Sequence, residues 1–505
     1  MNLMLAATRL PLSTLLIIGG AVAFVIIAWS YSHWRAAVKV AFVAVLLEGA
    51  IRKWILPQGQ EMVYFLKDIF LVGAYLKFYL APDPDIRAYR LKVPATILSI
   101  CAVLVCFSAL NPNINSGILS LYGIKIYFMY LPLTFMMPYL FRTEQEMTRQ
   151  LTWYALLAIP ICILGIIQWQ SGKFSMMNTF AGDAGDEIIT EHGATGFGFG
   201  DKARITGTFS YITGHATFVI FFSTLCLVLL SLKETRFKWA IIGVCLPLLA
   251  GNALMNGSRA SLVTLAFVGF GMLLASTTGR IGSSKHFTVV LMTGALAAIM
   301  GIGYLFTEAW TYWETRFEFS GDNLKTRIID HPYFAITNAL EDGGGFGYGI
   351  GTAHPATDAI RKKLNLGSPD EAVPVYDNEL GQVLVELGIV GFCAWYLMRF
   401  VLVLLAWNSF LQSPPGPVRA MSLVGVLITG PFLLMSVVYN HTANFFIFAL
   451  AGFALIPLLE PTVQRRHAAA GNRPSNSQPV TKVRGSRTTY LGGRRSSKPI
   501  PPTHR

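Results

Sequence analysis

The stretch Pro11-Leu-Ser-Thr-Leu-Leu-Ile-Ile-Gly-Gly-Ala-Val-Ala-Phe-Val-Ile-Ile-Ala-Trp29 contains no charged residue over 19 positions. A helix of about 20 apolar residues crosses the hydrocarbon core of a bilayer, so this stretch predicts a membrane span. No small-residue cleavage site precedes His33, which indicates a retained span rather than a signal peptide. Similar windows of roughly 18 to 22 residues recur as far as Pro457. The sequence therefore predicts an all-α, polytopic transmembrane helix bundle of about 12 or 13 spans.

The overall composition agrees with this class. Hydrophobic residues make up 53% of the chain, charged residues only 13% and the mean hydropathy is +0.51, whereas soluble chains carry about a quarter charged residues. The six cysteines all lie in apolar windows and show no metal-ligand spacing. We therefore expect neither disulfides nor a metal ion, and no motif calls for a cofactor.

The net charge of +13 comes largely from the C-terminal segment. Ten of the 40 Lys and Arg residues follow Glu460, where there is no Asp or Glu. Residues 461–505, rich in Arg, Ser, Pro and Gly, predict a disordered basic cytoplasmic tail, with binding to anionic lipid or a partner as the alternative. Residues 1–460, the predicted membrane domain, carry 30 basic and 27 acidic residues. This balance gives no reason to expect a nucleic-acid partner.

The positive-inside rule gives each connector a predicted side. With the tail in the cytoplasm, alternation places six basic connectors inside: residues 35–39, 87–92, 142–149, 233–238, 280–285 and 399–419. Two long polar loops, residues 170–206 and 306–387, then face outward. The second is the predicted periplasmic loop that carries the candidate site.

Short elements are expected inside the second loop. Residues 323–340 have helical spacing interrupted at Pro332, and residues 357–366 predict a short helix with Thr357 as its N-cap. Between them lies Gly343-Gly-Gly-Phe-Gly-Tyr-Gly-Ile-Gly351. This run lacks the Lys-Ser/Thr of a phosphate loop and the strand–turn–helix context of a dinucleotide site. It predicts a hinge, or backbone that approaches another segment closely.

Outer-side arginines are the candidate anion ligands. An arginine in a span costs about 2.5 to 3.5 kcal/mol at the bilayer centre, so one near a span usually has a partner or a task. Guanidinium groups bind phosphate through two parallel hydrogen bonds. Arg259 and Arg327 are the main candidates, with snorkelling to the interface as the alternative; Arg204 and Arg316 lie on the same predicted side.

The acid–base candidates lie late in the same loop. Asp377, Glu379 and Glu386 fall within Tyr376-Asp-Asn-Glu-Leu-Gly-Gln-Val-Leu-Val-Glu386, where Asp377 is equally a candidate helix N-cap. His354 is the other candidate base, with a structural hydrogen bond as the alternative. An Asp acts as a base near neutral pH only where its surroundings raise its pKa.

Four pieces of sequence, in order, resemble the O-antigen ligase and polymerase superfamily of bacterial envelope glycosyltransferases. They are Arg204-Ile-Thr-Gly-Thr-Phe209; Gly257-Ser-Arg-Ala260; Arg327 followed by Phe346-Gly-Tyr-Gly-Ile-Gly351; and Asp377-Asn378 with Glu386, Gly388 and Gly391. The resemblance covers roughly residues 204–391. Another pattern, Glu48-Gly-Ala-Ile-Arg-Lys-Trp54 followed by Lys67-Asp68, resembles a sub-branch of such proteins without indicating a role.

The resemblance implies a multi-pass bacterial inner-membrane enzyme that needs no metal. It would transfer a glycan from an undecaprenyl-diphosphate donor to a hydroxyl at the periplasmic face. Arg204, Arg259 and Arg327 would bind the diphosphate, Asp377, His354 and Arg327 would act in catalysis, and Asn378, Glu386 and Arg316 would support them. Its expected partners are the lipid-linked oligosaccharide, membrane lipids, and a flippase and chain-length regulator of the same pathway.

Asp377 stands where ligases of this superfamily carry a histidine, which favours a polymerase of O-antigen, capsule or exopolysaccharide repeats. An O-antigen ligase, which completes lipopolysaccharide, or a protein O-oligosaccharyltransferase is the close alternative. A polysaccharide or lipid transporter is the rival from another class, since Lys77 and Lys125 lie within predicted spans.

Overall fold

The computed structural model describes residues 12–56, 63–173, 175–179, 202–232, 236–281, 307–311, 314, 329–354, 356–366, 373–376 and 378–461. Within these ranges the chain is mostly helical, and its single small sheet pairs two three-residue strands. The all-α membrane class predicted from hydropathy is confirmed at this level. The 44 residues after Pro461 lie outside the described ranges, and so does almost all of the predicted tail.

The described residues between 12 and 173 form nine α-helices. They are α1 (Leu12–Ser32), α2 (Trp34–Ala50), α3 (Leu66–Tyr75), α4 (Pro84–Arg87), α5 (Ala95–Phe107), α6 (Gly117–Phe128), α7 (Leu131–Met136), α8 (Glu144–Leu156) and α9 (Ala158–Gln170). Strand β1 (Tyr89–Leu91) lies between α4 and α5. Two helices continue as one π-helical turn each, α2 through Ile51–Ile55 and α3 through Leu76–Leu80.

The described residues from 202 to 461 form the remaining helices and the second strand. Its elements are α10 (Ile212–Ser231), α11 (Lys238–Ala240), α12 (Leu246–Asn256), α13 (Arg259–Thr277), α14 (His331–Gly343), α15 (Ala356–Lys363), α16 (Glu379–Gln412), α17 (Pro417–Thr429), α18 (His441–Ala454) and β2 (Leu459–Pro461). Short 3-10 turns extend several of these helices, among them Pro431–Leu433 and Ile456–Leu458.

Six helical segments in the described ranges are long and apolar enough to cross a membrane, and four shorter apolar helices accompany them. The six are Gly117–Tyr139, Glu144–Gln170, Ile212–Ser231, Lys238–Asn256, Arg259–Thr277 and Glu379–Gln412. The chain is therefore a helical membrane protein. The figure of 12 or 13 spans stays a prediction.

Helix α10 forms the centre of the bundle, and it is the most enclosed of the six segments. Its Phe221 stacks on Phe446 of α18 with ring centroids 5.1 Å apart, and its Phe222 packs on Tyr154 of α8 at 4.9 Å. Lipid is as apolar as these side chains, so close packing and interhelical hydrogen bonds, rather than the hydrophobic effect, hold spanning helices together.

One end of the bundle collects connectors that the sequence assigns to the same side. Arg35 pairs with Asp85 at 2.8 Å and Lys39 with Glu146 at 2.8 Å. Strand β1 pairs antiparallel with β2, which places Arg90 opposite Glu460 at the start of the basic tail. The predicted alternation is therefore consistent with the packing. That this end faces the cytoplasm stays a prediction.

Helix α16 is broken at Gly388, whose φ of 62° and ψ of 179° are not helical. Twenty helical residues span about 30 Å, yet Arg399 Nη1 lies 3.2 Å from Glu379 Oε1. The first half of the helix, residues 379–387, must therefore fold back along the second half. Arg399 is buried inside this helix, so the prediction that a basic connector begins there was wrong.

The short helices of the long loop also differ from prediction. Pro332 lies in the first turn of α14, where it has no helical hydrogen bond to remove, and does not interrupt it. Thr357 is not an N-cap: it lies within α15, and its hydroxyl donates to Gly351 O at 2.6 Å. Arg361, near the end of α15, is buried and donates to Ile114 O at 3.4 Å.

Candidate functional site

Arg204 lies beside the N-terminus of α13, which begins at Arg259, at the end of the bundle opposite the basic connectors. Arg204 Nε donates to Asn256 O at 2.8 Å, and Arg259 opens helix α13 three residues later. The Asn256 side chain donates in turn to Ile205 O and Ile212 O, each at 3.0 Å. The first two sequence pieces are thus one structural unit. Arg259 stands at the positive end of a 19-residue helix dipole, which favours anions.

The backbone after Arg204 is held by buried polar side chains. Lys53 is fully buried, and its ammonium donates to Thr206 Oγ1 at 3.0 Å and to Gly207 O at 2.9 Å. Gln168 Oε1 accepts the Gly207 amide at 2.7 Å. A buried donor or acceptor without a partner is costly, so these bonds fix the loop in one conformation. The pattern Glu48–Trp54, which contains Lys53, did not indicate this role.

The glycine run packs against the break in α16. Tyr348 N donates to Val385 O at 2.9 Å and Gly349 N to Glu386 O at 2.8 Å. A Cβ on Gly347 would lie 2.5 Å from both Glu386 O and Val385 O, closer than real atoms approach. The run therefore serves as closely approaching backbone, one of the two predicted alternatives. Residues 346–351 of the third sequence piece thus pack against Glu386 and Gly388 of the fourth.

Glu386 connects this unit to His354. The fully buried carboxylate accepts from Tyr127 Oη at 2.7 Å and from the Ala353 amide at 2.8 Å. Both contacts lie inside the protein, where an unpaired carboxylate would be strongly destabilised. Glu386, a predicted supporting residue, therefore lies next to the turn that carries His354, a predicted base. Its hydrogen bond to the Ala353 amide holds that turn in place.

The His354 ring has a defined hydrogen-bonding pattern. Its Nδ1 accepts from the Ala356 amide at 3.0 Å and lies 3.3 Å from Tyr122 Oη. An amide can only donate, so a neutral His354 carries its proton on Nε2. Burial, together with the nearby positive charge of Lys125, lowers the pKa of His354 to about 4. At neutral pH the ring is therefore uncharged and presents Nε2–H as a donor.

Asn378 is the N-cap of α16, because its Oδ1 accepts the Leu380 amide at 2.8 Å. The N-cap, for which Asp377 was an alternative candidate, is therefore Asn378. Asp377 itself, Arg316 and Arg327 lie outside the described residues. Of the predicted site residues in the described ranges, Arg204 bonds to Asn256 O, three residues before Arg259, and Glu386 bonds to the amide of Ala353, which precedes His354.

Four charged residues outside the predicted site form two buried pairs. Lys67 Nζ lies 2.7 Å from both oxygens of Glu48. Lys125 Nζ lies 3.1 Å from Asp68 Oδ2, and Tyr130 Oη donates to the other Asp68 oxygen at 2.6 Å. Charges inside a bundle are costly unless paired. Their presence in apolar windows was the signal that could have indicated this cluster.

Tyr64 lies at the centre of these charges. Arg52, Lys67 and Lys125 place their cationic atoms 5.3, 5.2 and 4.1 Å from its ring centroid. The His441 ring lies edge-on at 5.0 Å, and His354 is 5.7 Å from His441. Aromatic faces attract cations, which accounts for this gathering. We call Tyr64, Arg52, Lys67, Lys125 and His441 the Tyr64 group. This group adjoins His354, a predicted base.

Among the described residues, no cluster of three His, Cys, Asp or Glu side chains is placed to hold a metal ion. Comparison with models of known protein families gives no match, and comparison with curated proteins gives none either. What the chain does must therefore be argued from its own residues.

Proposed function

We propose that the chain is a membrane glycosyltransferase that uses a polyprenyl-diphosphate donor, and specifically a polymerase of surface-polysaccharide repeat units. The observation that carries the proposal is the hydrogen bond from Arg204 Nε to Asn256 O, three residues before Arg259 begins a candidate spanning helix. Two guanidinium groups and a helix N-terminus suit a diphosphate that must sit at a membrane surface. The predicted outward orientation places this site at the periplasmic face of a bacterial inner membrane.

In the proposed reaction the acceptor hydroxyl attacks the anomeric carbon of the donor glycan. The new C–O bond forms as the bond from that carbon to the diphosphate oxygen breaks, and its electron pair leaves with the diphosphate. Arg204, Arg259 and Arg327 stabilise the negative charge that develops there. No nucleotide sugar is consumed.

The hydroxyl proton needs an acceptor, and we assign that task to Asp377. The amide of Ala356 occupies the lone pair on His354 Nδ1, so Nε2–H is a donor in this arrangement. We therefore propose that His354 donates a hydrogen bond to a phosphate oxygen. Glu386 supports it by holding the Ala353 amide.

The test is Arg259→Ala in the producing cell, with Arg280→Ala as the matched control, because Arg280 lies beyond the opposite end of the same helix. We expect Arg259→Ala, like Arg327→Ala, to shorten or abolish polymer and to leave single lipid-linked units on the outer side. Arg280→Ala should leave polymer length unchanged. Normal polymer in the Arg259 and Arg327 variants would refute the proposal, and polymer made but not attached would favour a ligase.

A transporter of polysaccharide or lipid is the second candidate. Lys125 lies within a candidate spanning segment and pairs with Asp68, as an ion-coupled carrier would require. Lys77, in contrast, pairs with Asp83 at the end that bears the basic connectors, at 2.9 Å. Lipid-linked units trapped on the inner side in the Lys125→Met variant would favour the transporter.

A further inference from the structure

The charges around Tyr64 do not balance. Glu48 forms an ion pair with Lys67. Asp68 forms one with Lys125 and accepts a hydrogen bond from Tyr130. Within the described residues Arg52 forms no ion pair of its own, although it lies near Glu48: its guanidinium lies over the Tyr64 ring, and its buried Nε makes no hydrogen bond. Arg52, Lys67 and Lys125 therefore carry one more charge than Glu48 and Asp68, and the adjoining Glu386 carboxyl is already bonded to Tyr127 and the Ala353 amide. An anion is the partner that would compensate this excess.

His441 points to the same conclusion independently. Both of its ring nitrogens are buried, and neither makes a hydrogen bond within the part of the chain that the structure describes. A buried polar atom without a hydrogen-bond partner destabilises the protein, so such an atom indicates a missing partner. The imidazole lies 5.0 Å from the Tyr64 ring, over which Arg52, Lys67 and Lys125 are placed, and 5.7 Å from the His354 ring. His441 also begins the 14-residue helix α18, whose positive dipole end adds to the attraction for an anion.

This group is separate from the Arg204 and Arg259 unit but adjoins it. Arg52 turns to Tyr64, whereas the next residue, Lys53, holds Thr206 and Gly207 of the arginine unit. Two anion-binding groups would thus lie side by side at one end of the bundle, one on each side of the Arg52–Lys53 peptide.

We propose that Arg52, Lys125 and His441, arranged around Tyr64, form a second anion site that takes the diphosphate of a lipid-linked acceptor. This inference rests on the proposed function. Polymerisation joins two glycans that each carry a polyprenyl diphosphate, so it requires two neighbouring diphosphate sites. Transfer to a lipid core or to a protein requires one. The second site therefore favours the polymerase over the ligase.

The experiment measures inorganic pyrophosphate binding to the full chain in phosphatidylcholine nanodiscs by titration calorimetry. We expect two binding events. Arg52→Ala and His441→Gln should each weaken one event about tenfold, as loss of a charge-assisted or neutral hydrogen bond does, and leave the other unchanged. Arg259→Ala should weaken the other event and leave the event that depends on Arg52 and His441 unchanged. Glu146→Gln, at the opposite end of the bundle, is the control and should change neither.

Three outcomes would overturn the second site. The first is unchanged binding in both the Arg52 and His441 variants, and the second is a single event that Arg52→Ala and Arg259→Ala both abolish. The third is loss of the Arg52-dependent event alone when phosphatidylglycerol is added to the nanodiscs. The last would assign it to a membrane lipid headgroup. Each outcome leaves the donor site at Arg259 standing, whereas loss of the Arg259-dependent event with normal polymer in cells would refute the proposed function itself.

Discussion

Glu379 and Arg399 form a buried ion pair of 3.2 Å although 20 positions of one helix separate them. The other Glu379 oxygen accepts the amides of Val437 and Val438, the latter at 2.7 Å. Arg399 also donates to Phe432 O. The pair thus locks the folded-back half of α16 to the segment that leads into His441. One local backbone reversal, at Gly388, makes this contact possible.

Gly388→Ala is expected to destabilise the protein strongly. With φ of 62° and ψ of 179°, Gly388 lies in a region that only glycine occupies readily, so a side chain costs about 1 to 3 kcal/mol in strain. An added Cβ would also collide with the backbone of Gly345 and Gly347. The measurement is the apparent melting temperature in detergent, together with the yield of monodisperse protein.

Gly269→Ala is the matched control, because Gly269 lies within helix α13 and a Cβ there meets nothing within 4 Å. It should keep or slightly raise the melting temperature. Equal stability of the Gly388 and Gly269 variants would show that the break in α16 is not a requirement of the fold.

The sequence could predict the membrane class because a span is a local property of about 20 consecutive residues. It could not predict the reversal at Gly388, since residues 379–412 have continuous helical character and only tertiary contacts show where the chain turns back. The same limit applies to Arg399, which looks like the start of a basic connector until Glu379 is placed beside it.

Glu386→Gln and Glu386→Leu are expected to behave differently. In the Gln variant the amide oxygen still accepts from Ala353 N, and the Tyr127 hydroxyl can rotate to accept from the amide nitrogen. We expect it to keep polymer synthesis within about tenfold of the parent chain. The Leu variant leaves the Ala353 amide unpaired at a cost of about 1 to 3 kcal/mol, and we expect it to lose most activity.

Polymer length and amount in the producing cell give the readout for both variants. A Gln variant as inactive as the Leu variant would contradict the positioning role and would indicate that the ionisable carboxyl group takes part in the reaction.

Lys67→Met is expected to be among the most damaging single changes. It leaves Glu48 without its cation inside the bundle, and removal of one partner from a buried pair costs about 3 to 5 kcal/mol. The double variant Lys67→Met with Glu48→Leu should recover much of the lost stability, since no isolated charge remains. A thermal-unfolding double-mutant cycle measures this coupling.

Lys92 and Glu460 supply the control pair for that cycle. They lie 3.7 Å apart with side chains 75% and 47% exposed, so their coupling should be no more than about 1 kcal/mol. A coupling between Lys67 and Glu48 as small as this would mean that the cluster around Tyr64 is far more accessible to water than its burial indicates.

Candidate site residues were predicted where a residue type alone suggests chemistry, as with Arg204 and Arg259. The Tyr64 group was not, because its members come from four separate segments and its tyrosine and lysines are ordinary residue types. Glu48, Lys67 and Lys125 show their importance only as charges placed among apolar neighbours. Spacing along the chain cannot show which carboxylate meets which lysine.

The pH dependence of stability provides the last prediction. The pKa of His354 is lowered by burial, and then by the charge of Lys125, to about 4, against an ordinary value of about 6.5. Between these two values the unfolded chain binds a proton at His354 that the folded chain does not. Stability from this group is therefore fully present above about pH 6.5 and is lost as the pH falls towards 4.

His354→Gln should remove this contribution, because glutamine does not titrate and its side-chain oxygen can still accept from the Ala356 amide. Melting temperatures measured from pH 7.5 to 4.5 should fall more steeply for the parent chain than for the variant. Parallel curves would show that His354 titrates normally. Saturating pyrophosphate should shift the parent's loss of stability to a different pH, because a bound anion beside the ring favours its protonated form and raises its pKa.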